Sequence, residues 1–306
     1  MMLRALPRAA AGIAASLALQ QTCQQSEDRL GRWRKRWEGD TRGWELGKTV
    51  HPRLAEFEER LLPEPSRVLV PLAGQSHDVA HLAWRGHSVV AVEGVPAALD
   101  AFKATYGADE ARRIAGHACD DYDGPDVASA LATMHIVKIP APEGGSKRLT
   151  WHAGDFLGNF TAPHEHLRSV DRPTHWRFHT GNFSCPLVDA AFDRGGLVAV
   201  KPEDREAYAA VLKRLVRPGG RVLFVSVEHP PFSDGRLGPP HSIERAEVDR
   251  LFGEHFELVE LKREDRMPVE PSWRERGCDY FFETTYLLTR KEAPVCDGAG
   301  RLMSLA

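Results

Sequence analysis

The sequence has no excess of basic residues, no paired cysteines and no long apolar run, and each absence removes a class of function. Lys and Arg number 40 against 43 Asp and Glu, a formal charge of −3. Binding a phosphate backbone asks for a basic face, so no nucleic-acid partner is expected. The five cysteines, Cys23, Cys119, Cys185, Cys278 and Cys296, are scattered, odd in number and without CxxC or zinc-ligand spacing. They read as free thiols in a reducing compartment rather than a disulfide framework. The apolar stretch from about Ala9 to Leu19 is too short to span a bilayer, and no membrane partner is expected. His164, His166, His175 and His179 crowd one polar segment, but HEH is not HExxH, and no metal is expected.

What is present is ordinary for a globular protein: 306 residues, 42% hydrophobic and 27% charged, enough for one large α/β domain with extensions. Residues 1–27 read as an N-terminal extension. Its first 25 residues contain no Asp or Glu, carry Arg4 and Arg8 and are rich in alanine. A transit peptide, a secretory signal and a disordered extension all fit that composition. A cytoplasmic location is expected, with an organelle reached through this extension as the alternative.

From Asp28 to Asp40 a basic stretch places Trp33 and Trp37 four residues apart, on one helical face, and Trp44 follows among glycines. Residues 51–62 repeat apolar positions at helical spacing and stop at Pro63 and Pro65. RVLVPL (67–72) and SVVAVE (88–93) read as buried parallel strands around a helix near 78–85, and a further helix starts at Pro96. Residues 107–148 surround one apolar segment, MHIVKI, and read as a hairpin or irregular excursion. Strands are expected at 149–156 and 187–195, separated by an inserted polar loop at about 159–186. A helix over 202–216, a turn at 217–220, a strand at 221–228, a helix near 244–252 and strands at 256–261 and 280–290 complete the pattern. Residues 292–306 read as a tail. This alternation predicts a doubly wound, mostly parallel sheet with helices on both faces, and the last two strands give an antiparallel edge.

Ligands of open α/β sheets lie beyond the carboxyl ends of the strands. After the first strand, Gly74 lets backbone approach a ligand, and Glu93, nineteen positions on, suits a ribose diol. A tight turn and a solvated strand end explain the same two residues. PLAGQSHD has one glycine, not the GxGxxG that a dinucleotide pyrophosphate needs, which favours S-adenosylmethionine over NAD. Asp155 and Phe156 fit an adenine, or Asp155 is a helix cap. Trp33, Trp37 and Trp44 fit an aromatic lid over a sulfonium, or core packing. Arg194 fits thiolate stabilisation or acceptor placement, with Asp193 fixing its guanidinium, or the two form a structural ion pair. Arg274 and Arg276 precede the last strand as further acceptor contacts, alongside Trp44.

Six ordered segments then accumulate: WRKRWEGDTRGWELG, RVLVPLAGQSHDVAHLAWRGHSVVAVE, AGDF, FDRGGLVAVKPEDREAYAAVLKRLVRPGG, GPPHSIERAEVDRLFGEHF and FFETTYLLTRK. In these the chain resembles the thiopurine S-methyltransferase family, from about Gly31 to Lys291. The resemblance implies a monomeric, seven-stranded, Rossmann-like class I methyltransferase domain over 28–291 with an N-terminal helical lid. It implies S-adenosylmethionine as methyl donor and a small-molecule thiol as acceptor. It carries the cofactor role to Trp33, Trp37, Trp44, Leu72, Glu93, Asp155, Phe156 and Arg194. Halide or selenium and tellurium methylation is the alternative on the same fold, and a catalytically silent cofactor-binding protein the alternative from another class. The chain departs from the family pattern at Ala73 and Gln75, where Cys and Lys are usual, at Gly196, where Ala is usual, and in the insert.

Overall fold

The computed structural model describes residues 29–39, 44–114, 133–157, 177–178, 183–184 and 187–292. The N-terminal extension, the tail beyond residue 292, most of the insert and the four clustered histidines lie outside the described residues.

Residues 29–37 form helix α1. The chain continues through α2 (Pro52–Leu61), β1 (Arg67–Pro71), α3 (His77–Trp84), β2 (Ser88–Glu93) and α4 (Pro96–Tyr106). Then come β3 (Asp109–Ile114), β4 (Thr133–Pro140), β5 (Ser146–Ala153) and the small pair β6 (Arg177–Phe178) and β7 (Phe183–Ser184). The last part holds β8 (Val188–Arg194), α5 (Arg205–Leu215), β9 (Val216–Glu228), α6 (Arg245–Phe252), β10 (Phe256–Asp265), the one-turn α7 (Ser272–Glu275) and β11 (Phe282–Arg290).

The main sheet has the order β10-β11-β9-β8-β1-β2-β5-β4-β3. Pairing is parallel from β5 through β2, β1 and β8 to β9. These five strands with β10 and β11 make the expected doubly wound arrangement. The reversed strand is β11, antiparallel to both neighbours and one place in from the edge, with β10 outermost. The sheet then exceeds the expected seven strands by two, because β4 pairs antiparallel with β5 and carries β3 on its far side. MHIVKI is the body of β4. The expected turn at 217–220 lies inside β9: Val216 pairs with Val188 and Arg221 with Ala190, so the intervening residues loop out of register around Gly219 at φ 71.

Alternation explains why both faces of the central strands are apolar. Val68, Val70, Val89, Ala91, Phe192, Leu223 and Val225 face one core, shared with Leu54 of α2, Val79 and Leu82 of α3 and Phe102 of α4. Leu69, Val90, Val92, Ala191, Val222 and Phe224 face the other, with Tyr208 and Leu212 of α5 and Val248 and Phe252 of α6. The sheet is therefore covered on both sides, and its open ground is the carboxyl end of the strands.

At the end of β8, Asp193 is buried and holds the following turn. Its Oδ1 accepts from the backbone N–H of Gly196 and of Leu197, each at 3.2 Å, and its Oδ2 from the Tyr208 hydroxyl at 3.0 Å. A Cβ at Gly196 would overlap the Tyr208 hydroxyl and Asp193 itself, so glycine, rather than the usual alanine, belongs with this bond.

Replacing Asp193 by Ala strands three buried donors and is expected to lower the unfolding free energy by about 2–4 kcal/mol in urea titrations. Burial pushes the Asp193 carboxyl up to about 6 from 3.8. A raised folded-state value means the native state binds the proton more tightly. This contribution is therefore full below about pH 4 and lost as pH rises through about 6, by on the order of 3 kcal/mol. Wild type should lose stability relative to Asp193→Asn over that window, and a constant difference would refute the assignment.

Candidate functional site

The chain reverses sharply where β1 ends. Leu72 adopts φ 47, unusual for a residue with a side chain, and Gly74 φ 55. Ala73 donates its N–H to the Val92 carbonyl at 3.0 Å. The Glu93 carboxylate closes the turn: Oε2 accepts from the Gly74 N–H at 2.9 Å and Oε1 from the Val95 N–H at 2.8 Å. Glu93 is 9% exposed. Burial raises its pKa, against the hold of the Val95, Gly74 and Gly94 N–H groups. Each oxygen keeps a lone pair for a further donor.

Next to this turn, Ser76 caps α3 by accepting from the Asp78 N–H at 3.2 Å. Its hydroxyl donates to Asp78 Oδ2 at 2.8 Å, and the His51 N–H donates to Oδ1 at 2.8 Å. Asp78 thereby ties the start of α2 to α3.

A cavity of about 940 Å³ opens beyond the strand ends, and Leu72, Gly74, Glu93, Asp155, Phe156 and Arg194 line it together with Trp33, Trp37 and Trp44. The three indoles pack edge to face, Trp44 lying 5.8 Å from Trp33 and 6.4 Å from Trp37 between ring centroids. Trp37 is buried, and a Cβ built on Gly74 would lie 3.6 Å from it. The tryptophans are thus at once packed against one another and part of the cavity wall.

Asp155 has both oxygens engaged. Oδ2 accepts from Arg29 Nη2 at 2.6 Å and Nε at 3.0 Å, and Oδ1 from the Leu157 N–H at 3.2 Å. The cap reading therefore describes part of its role, and α1 is pinned across the cavity by the rest. Phe156 is buried with its ring 4.9 Å from that of Tyr208.

Arg194 is half-buried in the cavity wall, its Nη1 donating to the Trp44 carbonyl at 2.5 Å. Among the described residues no carboxylate lies within 4 Å of it. Burial lowers its pKa; Asp78, Glu283 and Glu270 act from a distance in the opposite sense, and Arg266 adds to the lowering. The expected partner Asp193 is not brought to it. Neighbours on a strand point to opposite faces, and Asp193 is committed to Gly196, Leu197 and Tyr208. That corrects both the positioning role and the ion-pair alternative. Arg276 lines the cavity, whereas Arg274 is exposed and does not.

Sequence reasoning passed over several wall residues. His51 is buried between Arg194, Arg53 and Arg266, and burial followed by these charges pulls it down to about 3, so it is neutral. Its Nδ1 accepts from the Arg53 N–H at 3.2 Å, leaving the proton on Nε2. Arg53 donates to Glu283 at 2.9 Å and also pairs with Glu56 and Glu264; Arg266 holds Glu270 at 2.6 Å. These pairs join α2 to β10, β11 and the loop between them, across more than 200 residues of chain, and no local signal marks them.

Gln75 bonds to Glu45 where the family usually has Lys. Cys278 is a buried free thiol. Among the described residues no group of three or more His, Cys, Asp or Glu is arranged to hold a metal ion, and no helix is long and apolar enough to cross a membrane.

A family profile described as thiopurine S-methyltransferase matches residues 28–123 and 178–291. The chain is 28% identical to the thiopurine S-methyltransferase of Nitrosospira multiformis over 262 residues, 85% of this chain and 98% of that one. It is 31% identical to that of Vibrio cholerae over 221 residues, 72% of this chain and 79% of that one. Among solved structures it is similar to the 1,6-didemethyltoxoflavin-N1-methyltransferase of Burkholderia thailandensis with bound S-adenosylhomocysteine, at 17% identity and a TM-score of 0.44, covering 95% of this chain and 93% of that one. The two stretches matched by the family profile span most of the chain. The chain belongs to the thiopurine S-methyltransferase family of S-adenosylmethionine-dependent methyltransferases.

Proposed function

We propose that the chain moves a methyl group from S-adenosylmethionine to a thiol of a small molecule. The observation that carries this reading is Arg194, a guanidinium desolvated in the cavity wall with no carboxylate among the described residues within 4 Å. Such a cation favours an anion in front of it, and a thiolate is the reactive form of a thiol.

When bound, the cofactor would supply an electrophilic methyl on a sulfonium, with a neutral thioether as the leaving group and the acceptor thiol's proton released to solvent. Glu93 would accept from the ribose hydroxyls through the lone pairs left after Gly74 and Val95. Gly74 and Leu72 would bring backbone close, Phe156 would pack on the base, and Asp155 would meet its amine at the edge. Arg194 holds the acceptor sulfur ionised and, through the Trp44 carbonyl, keeps the indole cluster seated. Trp33, Trp37 and Trp44 exclude water and offer ring faces to the sulfonium. Alignment and dryness are the protein's main contributions, since the leaving group is already activated.

Release of S-adenosylhomocysteine with aryl thiols, alkyl thiols, halides and selenite tests the reading. Thiols should give the highest kcat/KM, and turnover of halide or selenite alone would move the assignment to another soft nucleophile. No turnover with any acceptor, despite tight cofactor binding, would leave a silent binding protein.

Arg194→Met is expected to lower kcat/KM for an aryl thiol roughly 100-fold, while unfolding free energy in urea stays level or rises, because an uncompensated cation leaves a desolvated wall. A parallel loss of stability would make Arg194 structural instead.

Glu93→Ala should weaken S-adenosylhomocysteine binding by about 1–3 kcal/mol in calorimetry. Only the ionised carboxylate can take both hydroxyls, and burial raises its pKa. Affinity should therefore be full at neutral pH and fall as pH drops through a value above the usual carboxylate range. The fall should vanish in Glu93→Gln; a pH profile shared by both proteins would overturn the assignment.

A further inference from the structure

The cavity gathers cations that form no ion pair among the described residues. Arg32 and Arg36 come from α1 and Arg276 from the loop after α7, and all three line the same cavity as Arg194. Among the described residues none of the three has a carboxylate within 4 Å. Of the carboxylates that line the cavity, Glu270 is held by Arg266 and Glu283 by Arg53, and Asp204 lines it as well.

Two of these guanidiniums are held by aromatic faces rather than by acids. Arg276 lies 3.8 Å over the Phe232 ring and 4.6 Å over the Trp273 ring. Trp273 is in turn stacked on Phe281, with centroids 3.8 Å apart and planes 11° from parallel. Arg36 stands 5.1 Å over Trp33. A guanidinium lying on a ring keeps its N–H edge available, and that planar fork is the fit for a carboxylate or phosphate. The arrangement also opposes like charges. Burial lowers the pKa of Arg36, with Arg236 and Arg32 adding to it; burial likewise lowers Arg276, with Arg236 and Arg36 adding to it and Cys278 and Asp234 acting in the opposite sense. Arg236 has its own partner, Asp234, at 2.6 Å. Gathering Arg32, Arg36 and Arg276 is unfavourable until an anion joins them.

We propose that the acceptor carries, apart from its reacting thiol, a fixed anionic group, a carboxylate or a phosphate, clamped by Arg36 and Arg276 with Arg32 at the rim. The clamp rests on the methyl-transfer reading above and narrows its substrate class. It links α1 to the loop after α7, so an acceptor anion closes the lid helix over the site while Arg194 faces the sulfur.

The test uses the protein loaded with S-adenosylhomocysteine, so that a second anion is read beyond the cofactor's own carboxylate. Tryptophan fluorescence follows binding of benzoate and phenylphosphate against benzamide and phenol, in wild type, Arg36→Gln, Arg276→Gln and Arg276→Lys. The anions should bind about tenfold or more tightly than their neutral counterparts, the preference should collapse in both Gln variants, and Lys should restore part of it. Whichever of benzoate and phenylphosphate binds better decides between carboxylate and phosphate.

In turnover, the ratio of kcat/KM for 4-sulfanylbenzoate to that for 4-sulfanylbenzamide should fall about tenfold in each Gln variant. Near-ultraviolet circular dichroism checks that each variant is folded. Equal affinity for charged and neutral probes in wild type would overturn the clamp. So would a loss of cofactor affinity in the Gln variants as large as the loss for the probes, since the arginines would then serve the cofactor. If no thiol turns over while the probes behave as described, the clamp stands and the thiol reading fails.

Discussion

The grip of one carboxylate on two backbone N–H groups is the constraint from which the site is built. Glu93 ends β2, yet it fastens the turn after β1 through Gly74 and the start of α4 through Val95. That closure over-determines a backbone that would otherwise relax, with Leu72 and Gly74 both at positive φ. The lid depends on the same unit. Trp37 packs on Gly74, and Leu30 sits where a Cβ at Gly94 would have to be. A side chain at Gly94 would press on α1, and Gly74 leaves ordinary contact distance to Trp37, so the turn after β1 and helix α1 are one packed assembly.

Much of this was legible because its signals are local. The central strands announce themselves as apolar runs buried on both faces, and Glu93 and Gly74 follow from the spacing within one βαβ unit. What escaped reading was set by distance or by edges. Asp109–Ile114 forms β3 although it reads DEARRI, since an outermost strand has little apolar surface to cover. The glycine turn at 217–220 became an irregular start to β9 because pairing with β8 reached past it. Arg53, a charged residue on an exposed-looking helix, is buried only because Glu283 and Glu264 arrive from the far end of the chain. Asp193 and Arg194 misled by adjacency: consecutive residues of a strand serve opposite faces, so closeness in sequence argued against contact.

The buried and half-buried polar groups around the cavity divide into two kinds, and the division separates scaffold from site. Asp193, Asp78 and Glu283 are answered by protein donors; removing a partner from any of them leaves a desolvated group stranded, which makes them expensive to change. Gly196 belongs with this first kind, since alanine there would push Tyr208 off Asp193. Among the described residues, Arg194, Arg36 and Arg276 have a carbonyl or ring faces as close partners and carboxylates only at a distance. A fold selected for stability alone has no reason to keep such cations desolvated and close together. Asp155 stands between the two kinds. Its oxygens are occupied by Arg29 and the Leu157 N–H, so any donor from a bound base must share Oδ1 or compete with Arg29 for Oδ2. Since Arg29 is part of α1, that competition would couple a ligand at Asp155 to how firmly α1 is held.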